Sequence, residues 1–312
     1  MAQENEERSG AFKALRERWS GKGGKKGAAA SGNRLQRQRL SRPDRTRVFT
    51  TSNQKGGVGK TTTTVNLAAA MARAGMRVMV VDIDPQGNAS TALNVPHSSE
   101  VASVYDVLLD EMEIHDVMQD APDVDNLQVV PATIELAGAE IELVSLVARE
   151  QRLSKALDRY FAWREEQGQE RLDYVFIDCP PSLGLLTVNA FVAAEEVLIP
   201  IQAEYYALEG LSQLLKNVQM IQKHLNPRLQ LTTILLTMFD SRTNLAVQVA
   251  EEVREHFPKE LLQTAIPRNV RISEAPSYQQ TVLTYDPSSV GAAAYREAAA
   301  EIAKRGAPAP LD

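Results

Sequence analysis

Short, unbroken apolar runs alternate with longer helix-periodic stretches from residue 48 to about residue 304. Residues 77–82 (RVMVVD), 127–131 (LQVVP), 174–178 (YVFID) and 196–201 (EVLIPI) lack polar alternation and are too short for helices. Such runs predict strands buried on both faces. Residues 229–238 predict a longer strand, and residues 48–51 (VFTT) and 264–266 two short ones. Helical spacing covers residues 62–74, a long stretch at 135–167, then 208–225, 246–256 and an Ala-rich 290–304. Strands alternating with helices predict an α/β, doubly wound, mostly parallel β-sheet with helices on both faces. In such sheets ligands sit beyond the carboxyl ends of the strands. No internal repeat is visible.

The first strand-to-helix connection carries the most specific chemistry. Residues 55–62 read KGGVGKTT. Gly56, Gly57 and Gly59, with Val58 among them, let successive backbone N–H groups converge on an anion, because no Cβ blocks the turn. Lys60 supplies a charge for β- and γ-phosphates, Thr61 a hydroxyl for Mg²⁺, and Thr62 continues into the helix, whose amino end favours phosphate. The usual first glycine is replaced by Gln54, and Lys55 adds a cation that the standard loop lacks. A flexible Gly/Lys surface loop is the plainer alternative; a strand before and a helix after weigh against it.

The lysine-first loop resembles the deviant Walker A motif shared by the ParA/Soj, MinD and nitrogenase-iron-protein ATPases. Three more stretches resemble ParA/Soj specifically: VDIDPQGNAS (81–90), FIDCPPSLG (176–184) and IPRNVRISEAPS (266–277). The resemblance runs from about residue 48 to residue 302, in the family's order. It implies a P-loop NTPase of the deviant Walker A type that binds ATP and Mg²⁺ and hydrolyses ATP slowly. Asp178, at a strand end before Pro180 and Pro181, matches the Walker B carboxylate that holds Mg²⁺ through water beside Thr61. A strand-end aspartate capping the next turn is its plainer reading. Asp84 matches the aspartate that orients the attacking water within a mobile switch, and would also reach the metal through water; Asp82 is left a structural role.

Lys55, in the resemblance, reaches across a two-fold axis to the nucleotide of a second copy, so that ATP drives a sandwich homodimer. Extra positive charge near a γ-phosphate acts as an arginine finger does. Pro267 and Asn269 match the adenine-side loop, with Met238 as an apolar contact to the base. Arg242 and Arg271 match arginines used for nonspecific binding of double-stranded DNA, although a lone surface arginine is commonly just solvated or paired. Dimerisation would double that basic surface and switch affinity by avidity. A ParB-like centromere-binding partner would stimulate hydrolysis and release.

Composition narrows the alternatives. Cys179 is the one cysteine, so there is no intrachain disulfide and no cysteine set for an iron–sulfur cluster. Beside Asp178 it reads as a small core residue. The four histidines show no ligand spacing. No apolar run approaches a membrane span, and the amino terminus is charged, so a cytoplasmic protein is expected; the ParA/Soj resemblance implies that it associates with the nucleoid. The net charge is −6, yet residues 1–47 hold thirteen Lys and Arg against five Asp and Glu. The expected organisation is a disordered basic arm at 1–47, one ATPase domain at 48–305 and a short tail at 306–312. Within the arm, residues 11–19 could form a transient amphipathic helix, and residues 20–41 have too few apolar side chains to offset ordering entropy. The arm reads either as a solvated tail or as a polycation adding DNA affinity. A MinD-like membrane-surface ATPase is the main rival, but EIAKRGAPAPLD at 301–312 is a poor amphipathic anchor. A small-molecule ligase on the same scaffold stays open, whereas 47 residues ahead of the first strand are few for a helix-turn-helix repressor domain.

Overall fold

In the computed structural model, residues 40–205 and 207–308 are described. The expected helix at 11–19 and most of the basic arm lie outside them. Seven strands form one sheet: β1 (Arg47–Thr51), β2 (Val78–Asp82), β3 (Gln119–Asp120), β4 (Leu127–Val130), β5 (Tyr174–Asp178), β6 (Glu196–Gln202) and β7 (Gln230–Thr237). Their order is β3-β4-β2-β5-β1-β6-β7, parallel throughout except for β3, which pairs antiparallel with β4. The helices are α1 (Lys60–Arg73), α2 (Asn88–Ala92), α3 (Val104–Leu109), α4 (Ile114–Val117), α5 (Leu136–Glu142), α6 (Arg152–Glu166), α7 (Leu185–Ala193), α8 (Ala207–His224), α9 (Asn244–His256), α10 (Val270–Glu274), α11 (Val282–Tyr285) and α12 (Val290–Arg305).

Every residue of β1, β2 and β5 is buried, which is why these strands read as solid apolar runs. Successive side chains go to opposite cores. Val48, Val81 and Ile177 pack with α3 and α5 to α9, whereas Phe49, Val80 and Phe176 pack with α1 and α12. Phe49 and Phe176 stack at 5.3 Å.

Two sequence expectations fail. The helix expected at 135–167 is interrupted: α5 gives way to 3₁₀ turns at Leu143–Ser145 and Arg149–Gln151 before α6 begins. Ala148 takes a left-handed φ of 52° there. A side chain from α7 makes the break tolerable, since Asn189 donates to the Arg149 carbonyl (2.8 Å) and accepts from the Leu153 N–H (3.2 Å), capping α6 in trans. The strand expected at 264–266 is also absent; only isolated bridges at Leu261 and Pro267 flank it. Glu301 of α12 takes the N–H groups of Gln263 (2.8 Å) and Thr264 (3.1 Å) that a strand would have used.

The starting ends of the strands are pinned by a buried ion pair. Arg47 Nε and Nη2 each donate to the Glu196 carboxylate at 2.6 Å, and Nη1 donates to the Ile302 carbonyl at 2.8 Å. Thr232 adds a hydroxyl to the same carboxylate at 2.7 Å, and the guanidinium lies 4.8 Å from the Phe49 ring. One residue thus joins β1, β6 and α12. Replacing Arg47 by alanine should cost about 3–5 kcal/mol, because Glu196 is left buried and uncompensated. Urea unfolding followed by circular dichroism measures it, and a loss below about 1 kcal/mol would show the pair to be dispensable.

Candidate functional site

β1, β2 and β5 end side by side, and the polar groups of the site stand on those ends. After β1 the chain turns through Ser52 and Asn53. The Asn53 amide donates to the Pro200 carbonyl (2.9 Å) and its oxygen accepts from the Lys55 N–H (3.0 Å), fixing the base of the loop. Gly57 and Gly59 take φ of 73° and 86°, which a Cβ would strain. The Thr237 hydroxyl at the end of β7 donates to the Val58 carbonyl at 2.8 Å, holding the far side. The loop then runs straight into α1, whose first turn holds no acidic residue.

A cavity of about 610 Å³ opens over this loop. Gly56, Gly57, Gly59, Lys60, Thr61 and Thr62 form its floor, and Asp84 reaches it from the turn after β2. Met238, Pro267 and Asn269 form the opposite wall, so segments far apart in sequence meet across the cavity from the loop. Met238 holds a left-handed φ of 47°, ending β7 and turning the chain along the cavity. Arg268, Ile272 and Tyr295 also line the cavity, though no role was assigned to them from sequence; the first two fall within the 266–277 stretch, whereas nothing local marks Tyr295.

Lys55 is elsewhere. Its ammonium pairs with Glu204 at 2.5 Å, and the two side chains are 45% and 46% exposed. Val58 is buried behind the loop. Arg242 and Arg271 also lie outside the cavity on the surface: Arg242 grips Asp240 (2.7 Å), and Arg271 reaches Glu274 (3.0 Å) and Asp286 (3.4 Å). The Arg242 hydrogen bonds hold the Asp240 carboxyl well down, at about 2. A bridge between Phe239 and Pro267 brings their two loops to one edge of the site.

Parallel pairing sets Asp82 opposite Asp178, both fully buried. Asp178 accepts from the Thr61 hydroxyl (2.7 Å) and the Thr64 hydroxyl (2.9 Å). Asp82 accepts from the Ser90 N–H (2.9 Å) and hydroxyl (2.7 Å) and from the Asp84 N–H (3.2 Å), tying down the turn that carries Asp84. Gly87, at φ 60°, completes that turn where a Cβ would press on the Ala132 carbonyl. Burial raises both carboxyls, Asp178 to about 8 with Asp82 as the next cause, and Asp82 to about 6. Burial also lowers the Lys60 pKa, opposed by Asp178 and Asp84. The Cys179 thiol, pushed up by burial to about 12, is inert, as expected of a small core residue.

A hydroxyl and a carboxylate so close are hard oxygen donors suited to Mg²⁺, and a buried carboxyl held partly protonated is one that a cation would stabilise. Among the described residues, no group of three or more His, Cys, Asp or Glu could hold a metal alone.

The family model for the AAA domain matches residues 46–231. The sporulation initiation inhibitor protein Soj of Bacillus subtilis is 53% identical over 260 residues, spanning 83% of this chain and 99% of that protein. The chromosome partitioning protein ParA of Myxococcus xanthus is 49% identical, over 84% of this chain and 89% of that one. The chain belongs to the ParA/Soj family of chromosome-partitioning ATPases. The chromosome-partitioning ATPase Soj of Thermus thermophilus is 46% identical, over 81% of this chain and 94% of that one. Among solved structures, a Mycobacterium smegmatis cobyrinic acid a,c-diamide synthase with bound ADP and magnesium superposes with a TM-score of 0.67 at 36% identity, over 81% of this chain and 92% of that one. The cell division ATPase MinD of Pyrococcus furiosus gives 0.66 at 26%, over 83% and 99%. This ParA/Soj relative is thus a P-loop ATPase on a shared scaffold.

Raised carboxyl pKa values mean that the folded state binds more protons than the unfolded chain between roughly pH 4 and 8, so stability falls as pH rises through that window. The nucleotide-free protein should therefore lose thermal stability between about pH 6 and about pH 8. Asp178→Asn should flatten that slope in differential scanning calorimetry; an unchanged slope would remove the buried carboxyl as its source.

Proposed function

We propose that this ATPase works as a nucleotide-gated homodimer that binds DNA nonspecifically while ATP is intact and lets go after hydrolysis. The supporting observation is the position of Lys55. A loop lysine that stands outside its own cavity, half exposed and held by one surface carboxylate, is free to serve another site. A surface pair of this kind contributes about 0–1 kcal/mol, so a second copy's γ-phosphate can displace Glu204.

In this reading Lys60 and the loop N–H groups cradle the β- and γ-phosphates while Met238, Pro267 and Asn269 flank the base. Mg²⁺ held by Thr61, and by Asp178 and Asp84 through water, would supply charge neutralisation between the phosphates. Asp84 orients the attacking water, a task that needs placement more than basicity. Its placement is secured by Asp82 and Ser90, which anchor the turn. Lys55 of the second copy stabilises the charge growing on the γ-phosphoryl oxygens. Arg242 and Arg271 exchange their exposed carboxylate partners for DNA phosphates, and two copies double the basic surface offered.

A ParB-like partner that speeds hydrolysis, and a nucleoid location, complete the proposal by analogy with relatives named for chromosome partitioning. No helix among the described residues is long and apolar enough to cross a membrane. The MinD-like alternative gains little from α12, whose Ala298, Ala299 and Ile302 are spent on the core rather than offered to a surface.

Lys55→Ala should abolish the ATP-dependent mass doubling in size-exclusion light scattering and lower kcat by on the order of 10²-fold or more. Full retention of both would sink the shared-lysine mechanism. In the hydrolysis-impaired Asp84→Ala background, Arg242→Ala or Arg271→Ala should leave the dimer intact. Each should weaken DNA retention and reduce the magnitude of the salt slope by about one for every phosphate no longer neutralised. Salt-insensitive retention would remove the arginines from the DNA site.

A further inference from the structure

Residues 93–98 fold back across the turn that carries Asp84. A Cβ on Gly87 would come within 3.0 Å of the His97 ring, so the imidazole rests directly on that glycine. The His97 Nδ1 lies 2.9 Å from the Val95 carbonyl, and Nε2 lies 3.1 Å from the Thr91 hydroxyl. That hydroxyl in turn reaches the Gly87 carbonyl at 3.0 Å. Gly87 closes the turn by donating its N–H to the Asp84 carbonyl at 2.9 Å. Thr91 lines the nucleotide cavity on one side of α2 and, with His97, a surface cleft on the other. No residue of the phosphate loop takes part in these contacts.

A neutral ring cannot make all three contacts hydrogen bonds. A carbonyl only accepts, so Nδ1 carries a proton, and the Thr91 hydroxyl has one proton to give. If that proton goes to the Gly87 carbonyl, Nε2 must itself donate to Thr91, and the ring is an imidazolium. If Nε2 is bare, it accepts the Thr91 proton, and the Gly87 carbonyl keeps only the Thr91 N–H at 2.9 Å. Histidine is the side chain that ordinarily changes charge between about pH 5 and 8. The charged groups on the surrounding elements are Glu100 in the same segment, Asp84 beyond Gly87, Asp120 on β3, Asp123 beside Asn94 and Glu135, which bonds Ser99. The 3₁₀ turn Ala275–Tyr278, packed on α2, adds none, and Glu274 ahead of it is taken by Arg271. Among the described residues no carboxylate pairs with the His97 ring.

We propose that His97 is a positioning residue for ATP hydrolysis: its imidazolium leaves the Thr91 hydroxyl on the Gly87 carbonyl, so that the turn holds Asp84 in place, and its neutral form draws that hydroxyl away. The inference rests on the reading of Asp84 as the residue that orients the attacking water, a task that depends on placement. One hydrogen bond gained or lost at the turn changes the rate about two- to tenfold when the transition state feels it. Raising the pH through the histidine range should thus slow turnover and leave nucleotide affinity unchanged.

The test is steady-state ATP hydrolysis by the full chain with Mg²⁺, at constant ionic strength, from about pH 6 to about pH 8. The amide of His97→Gln can donate to Thr91 at every pH. Wild-type kcat divided by that of His97→Gln should therefore fall about two- to tenfold across the range, with KM unchanged. Thr91→Val should lose the same pH dependence, and Thr91→Ser should restore it. Parallel profiles for wild type and His97→Gln, a ratio that rises with pH, a Thr91→Val profile that keeps the dependence, or a difference confined to KM would overturn the proposal. Asp84→Ala should lose turnover at every pH. Retained turnover there would overturn the reading of Asp84 and this inference with it, whereas lost turnover beside parallel His97 profiles would overturn this inference alone.

Discussion

Parallel pairing of β2 with β5 forces Asp82 and Asp178 to stand side by side, both fully buried. Two buried carboxyls in register repel one another and resist ionisation, and the rest of the site is arranged around that difficulty. Hydroxyls of Thr61 and Thr64 satisfy one, and Ser90 with the Asp84 N–H satisfies the other. Lys60 brings a compensating charge that is itself partly desolvated. A cation bound at this point would ease the repulsion, since it favours the ionised carboxylate.

Side chains from distant elements brace the loops that hold this chemistry. Asn53 ties the loop base to β6, Thr237 ties its far side to β7, and the Ser90 hydroxyl accepts the Ala132 N–H at 3.1 Å to bring the chain after β4 onto α2. Asn66 of α1 accepts the Val282 N–H at 2.8 Å, fixing the segment behind the base-side wall. None of these residues need touch substrate. Each fixes a position, and phosphoryl transfer depends on position above all. Lys55 is the exception among the loop residues, its side chain held by a single exposed pair with Glu204.

The two ends of the strands solve opposite electrostatic problems. At the carboxyl ends, acids await cations. At the starting ends, arginines dominate: Arg47 is neutralised by Glu196 in a closed, fully bonded pair, whereas Arg77 and Arg164 border an open cavity.

The ordered spacing of apolar runs, glycines and the strand-end aspartates Asp82 and Asp178 was enough to determine the α/β class, the strand ends and the phosphate loop, because burial on both faces and anion cradling each demand a local pattern. The ParA/Soj resemblance named Asp84, Pro267 and Asn269, and folding brought them into one cavity with the loop. Local pattern failed where a remote side chain overrode propensity: Asn189 stabilises the break in the helix expected at 135–167, and Glu301 takes the Thr264 N–H of the strand expected at 264–266. Only the tertiary structure could place Lys55 outside its own cavity and gather Arg77 and Arg164 at the far end of the sheet. Such placements depend on which strands lie adjacent, and adjacency is a property of the whole chain rather than of any segment of it.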